Sequence, residues 1–159
     1  MNYFLIIRGP LGSGKSTISE QLAQKLGAKH FSVDRVLDEY NLTADKEDGY
    51  ISQKSFLRAN EIIIQEAVEI LKTNTPIIFD GNYYWQSQID DLIEKLNYPH
   101  WIFTLKVPLD LCIDRDDKRE KRHGKDAAEV VFNKSIQVNC GILIDGTKDL
   151  DQIVEEIIS

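Results

Sequence analysis

The residues Gly9-Pro10-Leu11-Gly12-Ser13-Gly14-Lys15-Ser16 satisfy GxxxxGK[ST] at every required position. Glycines let a backbone wrap closely enough for its N–H groups to converge on phosphate oxygens. In this pattern the lysine, Lys15, reaches the β and γ phosphates of a nucleotide, and the hydroxyl of Ser16 suits Mg2+. Gly9, Gly12, Ser13, Gly14, Lys15, Ser16 and Thr17 are the expected phosphate-binding residues, with Lys15 also catalytic. The context fits as well. An apolar run, Tyr3-Phe4-Leu5-Ile6-Ile7, precedes the motif, and a helical pattern with Ile18, Leu22 and Leu26 on one face follows it. The start of that helix adds free N–H groups and a positive dipole end.

Other residues could complete a reaction centre. Asp34 follows the apolar run Phe31-Ser32-Val33. A carboxylate there can take the proton of an attacking hydroxyl, or cap a helix over residues 35–40. Ile77-Ile78-Phe79-Asp80 is an apolar run ending in an acid, which can hold Mg2+ through water or bond Ser16. The plainer alternative for Asp80-Gly81 is a simple turn. Asn82, Tyr83, Tyr84 and Trp85 come next and could wall an acceptor pocket or pack on the following helix; Asn82 and Tyr83 are taken as acceptor-binding. Arg115, Arg119 and Arg122 fall on one helical face, where guanidinium groups would suit charge developing on a transferring phosphoryl group. The alternative is a solvated helix with pairs such as Asp114 and Lys118. Arg35 is a candidate for holding an acceptor, and Gly146 and Thr147, after the last apolar run, for the loop beside a nucleotide base.

These residues need strands and helices in alternation. Strands are expected at 3–7, 31–33, 76–79, 100–105 and 142–144. Helices are expected at 15–26, 54–73, 86–96, from Pro108 to about Arg122, at 126–137 and at 150–158, with 38–53 irregular. Such alternation implies a parallel sheet covered on both faces, with the strand-end loops along one edge.

Composition narrows the classes. The chain has 159 residues, 42% hydrophobic and 28% charged, enough for one domain with a core. No apolar run approaches the length of a membrane span, and the N-terminus lacks a signal-peptide pattern, so a cytoplasmic location is expected. Cys112 and Cys140 lack CxxC spacing and the three histidines lack ligand spacing, so two buried thiols are expected rather than a zinc site. Net charge is −7, and residues 38–99 alone carry 12 acids and 5 bases. Residues 115–125 carry 6 bases and 3 acids, a compact cluster suited to a few phosphates rather than to a polynucleotide track. An acidic acceptor region argues against nucleic acid and favours a neutral or cationic small molecule.

The phosphate loop near the N-terminus, the acid after the second strand and the arginine-rich segment after the fourth resemble the P-loop small-molecule kinases. The nearest pattern is the group containing polynucleotide 5′-hydroxyl kinase, chloramphenicol phosphotransferase and zeta toxin, with shikimate kinase a relative. The resemblance implies an α/β, three-layer P-loop NTPase fold of the nucleoside-monophosphate-kinase-like kind, with a five-stranded parallel sheet and a short lid. It implies one kinase domain over 1–159, an acceptor segment at about 35–60 and a lid at about 115–128. It further implies ATP and Mg2+ as cofactors, Asp34 as catalytic base, Arg115 and Arg119 as catalytic lid groups, Arg58 on the acceptor, and a small-molecule hydroxyl as phosphate acceptor. Shikimate kinases carry a triple glycine after the third strand, where this chain has Asp80-Gly81-Asn82. Alternatives are a polynucleotide or nucleoside 5′-hydroxyl kinase, a shikimate kinase-like enzyme, or a nucleotide-driven switch. Against a GTP switch, Asn133-Lys134-Ser135-Ile136 lacks the acid of NKxD, and no DxxG follows the third strand. A monomer or weak dimer is expected.

Overall fold

The computed structural model describes residues 2–118 and 125–159. Side-chain alternation along the strands decides how the layers form. In β1 (Phe4–Arg8) every residue is buried; Phe4 and Ile6 face one layer, Leu5 and Ile7 the other. β1 pairs in parallel with β5 (Ile77–Gly81) on one side and β6 (His100–Lys106) on the other. β2 (Lys29–Ser32) lies outside β5 and β7 (Ile142–Asp145) outside β6, giving the order β2-β5-β1-β6-β7. This is the expected five-stranded parallel sheet.

Helices cover both faces, as parallel pairing requires. α1 (Lys15–Leu26) and α7 (Leu150–Ile158) bury Ile18, Leu22, Ile153 and Val154 against the Leu5 and Ile7 face. The opposite face receives α2 (Val33–Glu39), α3 (Gln53–Lys72) and α4 (Gln86–Leu96). Phe56, Ala59, Ile63, Ala67 and Leu71 recur at three- and four-residue intervals along α3 and form its buried stripe. Ser52 caps α3, its Oγ accepting from Ser55 N at 3.1 Å. α5 (Leu109–Asp117) and α6 (Lys125–Ser135) pack on each other. Among the described residues no helix is long and apolar enough to cross a membrane.

Several expectations change. β2 stops at Ser32 because Ser32 caps α2, so Val33 opens a helix rather than ending a strand. Residues 38–53 are not irregular: α2 extends to Glu39, and β3 (Lys46–Glu47) pairs antiparallel with β4 (Tyr50–Ile51). Their turn is Asp48-Gly49, with φ of 54° and 84°, the doubly left-handed turn of tight hairpins. α5 ends at Asp117 with Lys118 as its cap, short of Arg122, and α6 ends at Ser135 rather than at 137. Cys112 is buried and Cys140 half-buried, both free.

Arg8 is the least expected core residue. It is fully buried on the Phe4 and Ile6 face, immediately before the phosphate loop. Its Nη1 donates to Thr104 Oγ1 at 3.1 Å and to Val138 O at 3.0 Å, and its Nη2 donates to Ser135 O at 2.9 Å. The guanidinium thereby ties the chain leaving α6 to the centre of the sheet. Arg8→Ala would take this donor from Val138 O and leave Ser135 O with only the Val138 N–H at 3.3 Å, and should lower stability by about 2 kcal/mol in a urea titration. A loss below about 0.5 kcal/mol would mean that water replaces the guanidinium.

Candidate active site

The loop between β1 and α1 must turn sharply at the carboxyl edge of the sheet. Gly12 and Gly14 do so at φ of 76° and 91°. A Cβ on Gly12 would sit 2.2 Å from the Cys112 carbonyl oxygen, so α5 packs directly on the loop. A Cβ on Gly9 would sit 2.6 Å from Ser13 Oγ. Gly14 caps α1 with no side-chain hydrogen bond, leaving the first-turn N–H groups available. Ser13 Oγ is buried with no hydrogen-bond partner among the described residues. The Lys15 side chain is buried, its ammonium folded back toward Pro10 O at 3.4 Å. The loop thus carries N–H groups, a hydroxyl and an ammonium without strong partners among the described residues, a donor set suited to a polyphosphate.

Beside the loop, Ser16 Oγ donates to Asp80 Oδ1 at 3.4 Å, and Asp80 is fully buried at the end of β5. The other carboxylate oxygen, Oδ2, is bonded to His30 Nε2 from β2. A hydroxyl and a carboxylate form an oxygen donor set suited to Mg2+, so Ser16 and Asp80 fit the ion expected from the sequence. Sequence alone does not single out His30, because its role depends on β2 lying next to β5.

A cavity of about 350 Å3 opens on the α7 side of the loop, lined by Gly12, Gly14, Thr17, Arg115, Gly146 and Lys148 among others. Arg115 spans it, Nη1 donating to Ser13 O at 3.2 Å and Nη2 to Gly146 O at 3.3 Å. Arg115 therefore braces the phosphate loop against the loop after β7. Thr147 is not on this lining: its N–H and Oγ1 both donate to Asp145 Oδ1, at 3.0 and 2.6 Å. Those bonds hold the Asp145 carboxyl below its ordinary pKa. Lys148, unforeseen, takes the lining position instead. Arg119 and Arg122 lie outside the described residues.

A second cavity, about 560 Å3, opens on the α2 side and brings together Leu11 of the phosphate loop, Asp34, Asn82, Tyr50 and Tyr84. Because Ser32 Oγ accepts from Arg35 N at 3.4 Å, capping falls to Ser32 and Asp34 sits in the first turn facing the cavity. The hairpin β3–β4 forms the outer wall. Ile51 N donates to Tyr84 Oη at 3.1 Å, and Trp85 Nε1 donates to Ile51 O at 2.7 Å. Lys134 Nζ of α6 lies 3.9 Å from the Trp85 ring centre, a cation–π contact that holds α6 over the hairpin. Burial pushes the Tyr84 phenol up to about 12, so it stays neutral.

Three candidates fall elsewhere. Tyr83 is in the core at φ 47°, not on the cavity lining, and Tyr84 takes the wall position assigned to it. The Tyr83 hydroxyl has no partner among the described residues. Burial, and then the Asp80 and Asp34 charges, push its pKa well up. Arg35 is exposed and does not line the cavity. Arg58 pairs with Glu61 at 3.1 Å and lines a separate groove with Lys54 and Asp91.

Gly12→Ala should lower the affinity for a fluorescent ATP analogue at least about tenfold, because φ is left-handed and the added carbon meets a carbonyl. His30→Ala should raise the Mg2+ concentration at half-maximal stimulation of nucleotide binding by about 10-fold or more, since the Asp80 carboxylate loses its brace. An unchanged midpoint would show that Asp80 keeps its position without His30.

A family profile described as AAA domain matches residues 4–138. A shikimate kinase of Actinobacillus succinogenes is 40% identical over 72 residues, which is 43% of this chain and 38% of that protein. The chain thus spans well under half the length of that relative. An adenylate kinase of Porphyromonas gingivalis is 28% identical over 132 residues, 76% of this chain and 68% of the relative. The solved structure of a sugar kinase from Janibacter sp., unliganded, aligns with a TM-score of 0.81 at 16% identity, over 99% of this chain and 93% of that one, a likeness of fold. Since the profile covers residues 4–138, from the first strand past the phosphate loop to just beyond α6, the chain belongs to the AAA domain family, and its five-stranded sheet gives it the α/β fold of the P-loop kinases.

Proposed function

We propose that the protein is an ATP-dependent phosphotransferase that moves the γ-phosphoryl group to a hydroxyl of a small molecule held in the 560 Å3 cavity. The observation that carries this reading is the shared lining: Asp34 and Leu11 of the phosphate loop border the same cavity. A base and a phosphate cradle on one space are what transfer to an alcohol requires. The relatives' names, kinases all three, support the class of reaction.

Positioning and electrostatics do most of the work in such a transfer. The acceptor oxygen forms a bond to the γ-phosphorus as the bond from that phosphorus to the bridging oxygen breaks. The hydroxyl proton passes to the Asp34 carboxylate, and the displaced charge stays on ADP. The amides of Gly12 through Ser16 and the Lys15 ammonium hold the phosphates. Arg115 keeps the loop closed against Gly146. Ser16 and Asp80 would hold Mg2+, which would supply neutralisation of the phosphate charge. Arg119, outside the described residues, is the second guanidinium of this proposal.

The test is ADP formation with pooled acceptors, comparing wild type with two variants. Asp34→Asn should keep the Kd for ATP and reduce turnover by about 10²- to 10⁴-fold. Lys15→Ala should weaken ATP binding and slow turnover together. Near-full activity in Asp34→Asn would remove the base from the mechanism.

A further inference from the structure

We infer that the acceptor is a hydroxyl-bearing amine, bound as its ammonium cation; this rests on the kinase reading of the same cavity. Among the described residues three carboxylates, Asp34, Asp38 and Asp126, line it against a single ammonium, Lys46. Asp34 is reserved for the reacting hydroxyl. Asp126, at the start of α6, makes no hydrogen bond or ion pair among the described residues and faces the same space. Asp38 is already engaged in an interaction of its own, so the inference leans on Asp126.

A second observation points the same way. Asn82 is only 6% exposed and lines the cavity, yet its amide oxygen has no hydrogen-bond partner among the described residues. A buried acceptor oxygen without a donor is costly, so a ligand that supplies N–H or O–H groups is favoured there. Acceptor atoms therefore dominate the polar part of the lining, and they select a donor-rich guest. The remainder is apolar or aromatic, including Leu37, Tyr50, Tyr84, Val130 and Val131. That surface suits a compact hydrocarbon frame carrying the ammonium, whose charge is also attracted to aromatic faces.

Anionic acceptors meet the opposite arrangement. A carboxylate or phosphate on the acceptor calls for paired guanidinium groups. Among the described residues no arginine lines this cavity; Arg35 is exposed elsewhere and Arg58 is turned into another groove.

The experiment measures ADP formation by the full chain with Mg2+ and ATP against three pools. The first holds hydroxylated amines (amino sugars, aminocyclitols and amino alcohols), the second neutral polyols, and the third hydroxy acids with nucleoside monophosphates. The amine pool should stimulate turnover at least about tenfold over the others. With the active amine, Asp126→Asn should raise KM about 10-fold or more while kcat stays within about threefold, and Asp126→Glu should restore KM. Equal changes in kcat and KM, or no rescue by Asp126→Glu, would count against an ammonium contact at this residue. Stimulation by polyols or by the acid pool instead would overturn the amine assignment and leave the kinase reading standing. No stimulation by any pool, with ATP still bound, would overturn both.

Discussion

Everything in the site depends on the register of β5 between β1 and β2. Ile7 lies opposite Asp80 and Arg8 opposite Gly81, while Ser32 lies opposite Asp80 on the other side. The chain segments leaving these three strands therefore emerge at one level: the phosphate loop, the start of α2 with Asp34, and the stretch from Asn82 to Trp85. That register is imposed by apolar alternation, with Ile77 and Phe79 in one core and Ile78 in the other. A slip of one residue would put Ile77 and Phe79 among the wrong neighbours and carry Asp80 away from Ser16. Hydrophobic burial thus fixes the position of a carboxylate with which it makes no polar contact.

The same logic explains what could be seen in the sequence. The phosphate loop is a local pattern of glycines with an adjacent strand and helix, so its residues were all legible. Asp34 and Asp80 were legible because each directly follows an apolar run. The hairpin was also written locally, in Asp48-Gly49 followed by Tyr50-Ile51, but the acidity of the flanking segment masked it. Arg58 could have been set aside by helical periodicity, since Phe56, Ala59 and Ile63 define the buried stripe and residue 58 falls outside it. Tyr83 and Tyr84 could not be told apart: the left-handed φ of Tyr83 reverses the alternation expected after a strand. His30 and Arg8 act across the sheet, on residues 50 and more than 90 positions away, and no local pattern announces such partners.

The two halves of the site are held by different means. On the phosphate side, α5 braces the loop through Arg115 and through the close approach of the Cys112 carbonyl to Gly12. On the other side, Tyr84 and Trp85 act as a clamp on the main chain of Ile51, and Lys134 lays α6 across it. Arg8 joins the halves from beneath, because it precedes the phosphate loop and grips the chain that follows α6. Position in the sheet therefore links elements that are separated widely along the chain.

The cradle and the opposite wall also differ in what they are made of. The phosphate side presents chiefly main-chain N–H groups, which every residue but proline possesses; it can be spoiled by added bulk at Gly12 but hardly retuned. The other wall presents side chains, Asp126, Tyr50, Val130 and Val131 among them, standing on a short hairpin and one helix. Exchanging those side chains would change the shape and charge of that cavity without moving an amide of the phosphate loop. The shape and charge of this cavity are consequently free to drift over evolutionary time while the phosphate loop stays in place, and redesign of the protein has a natural boundary between the two walls.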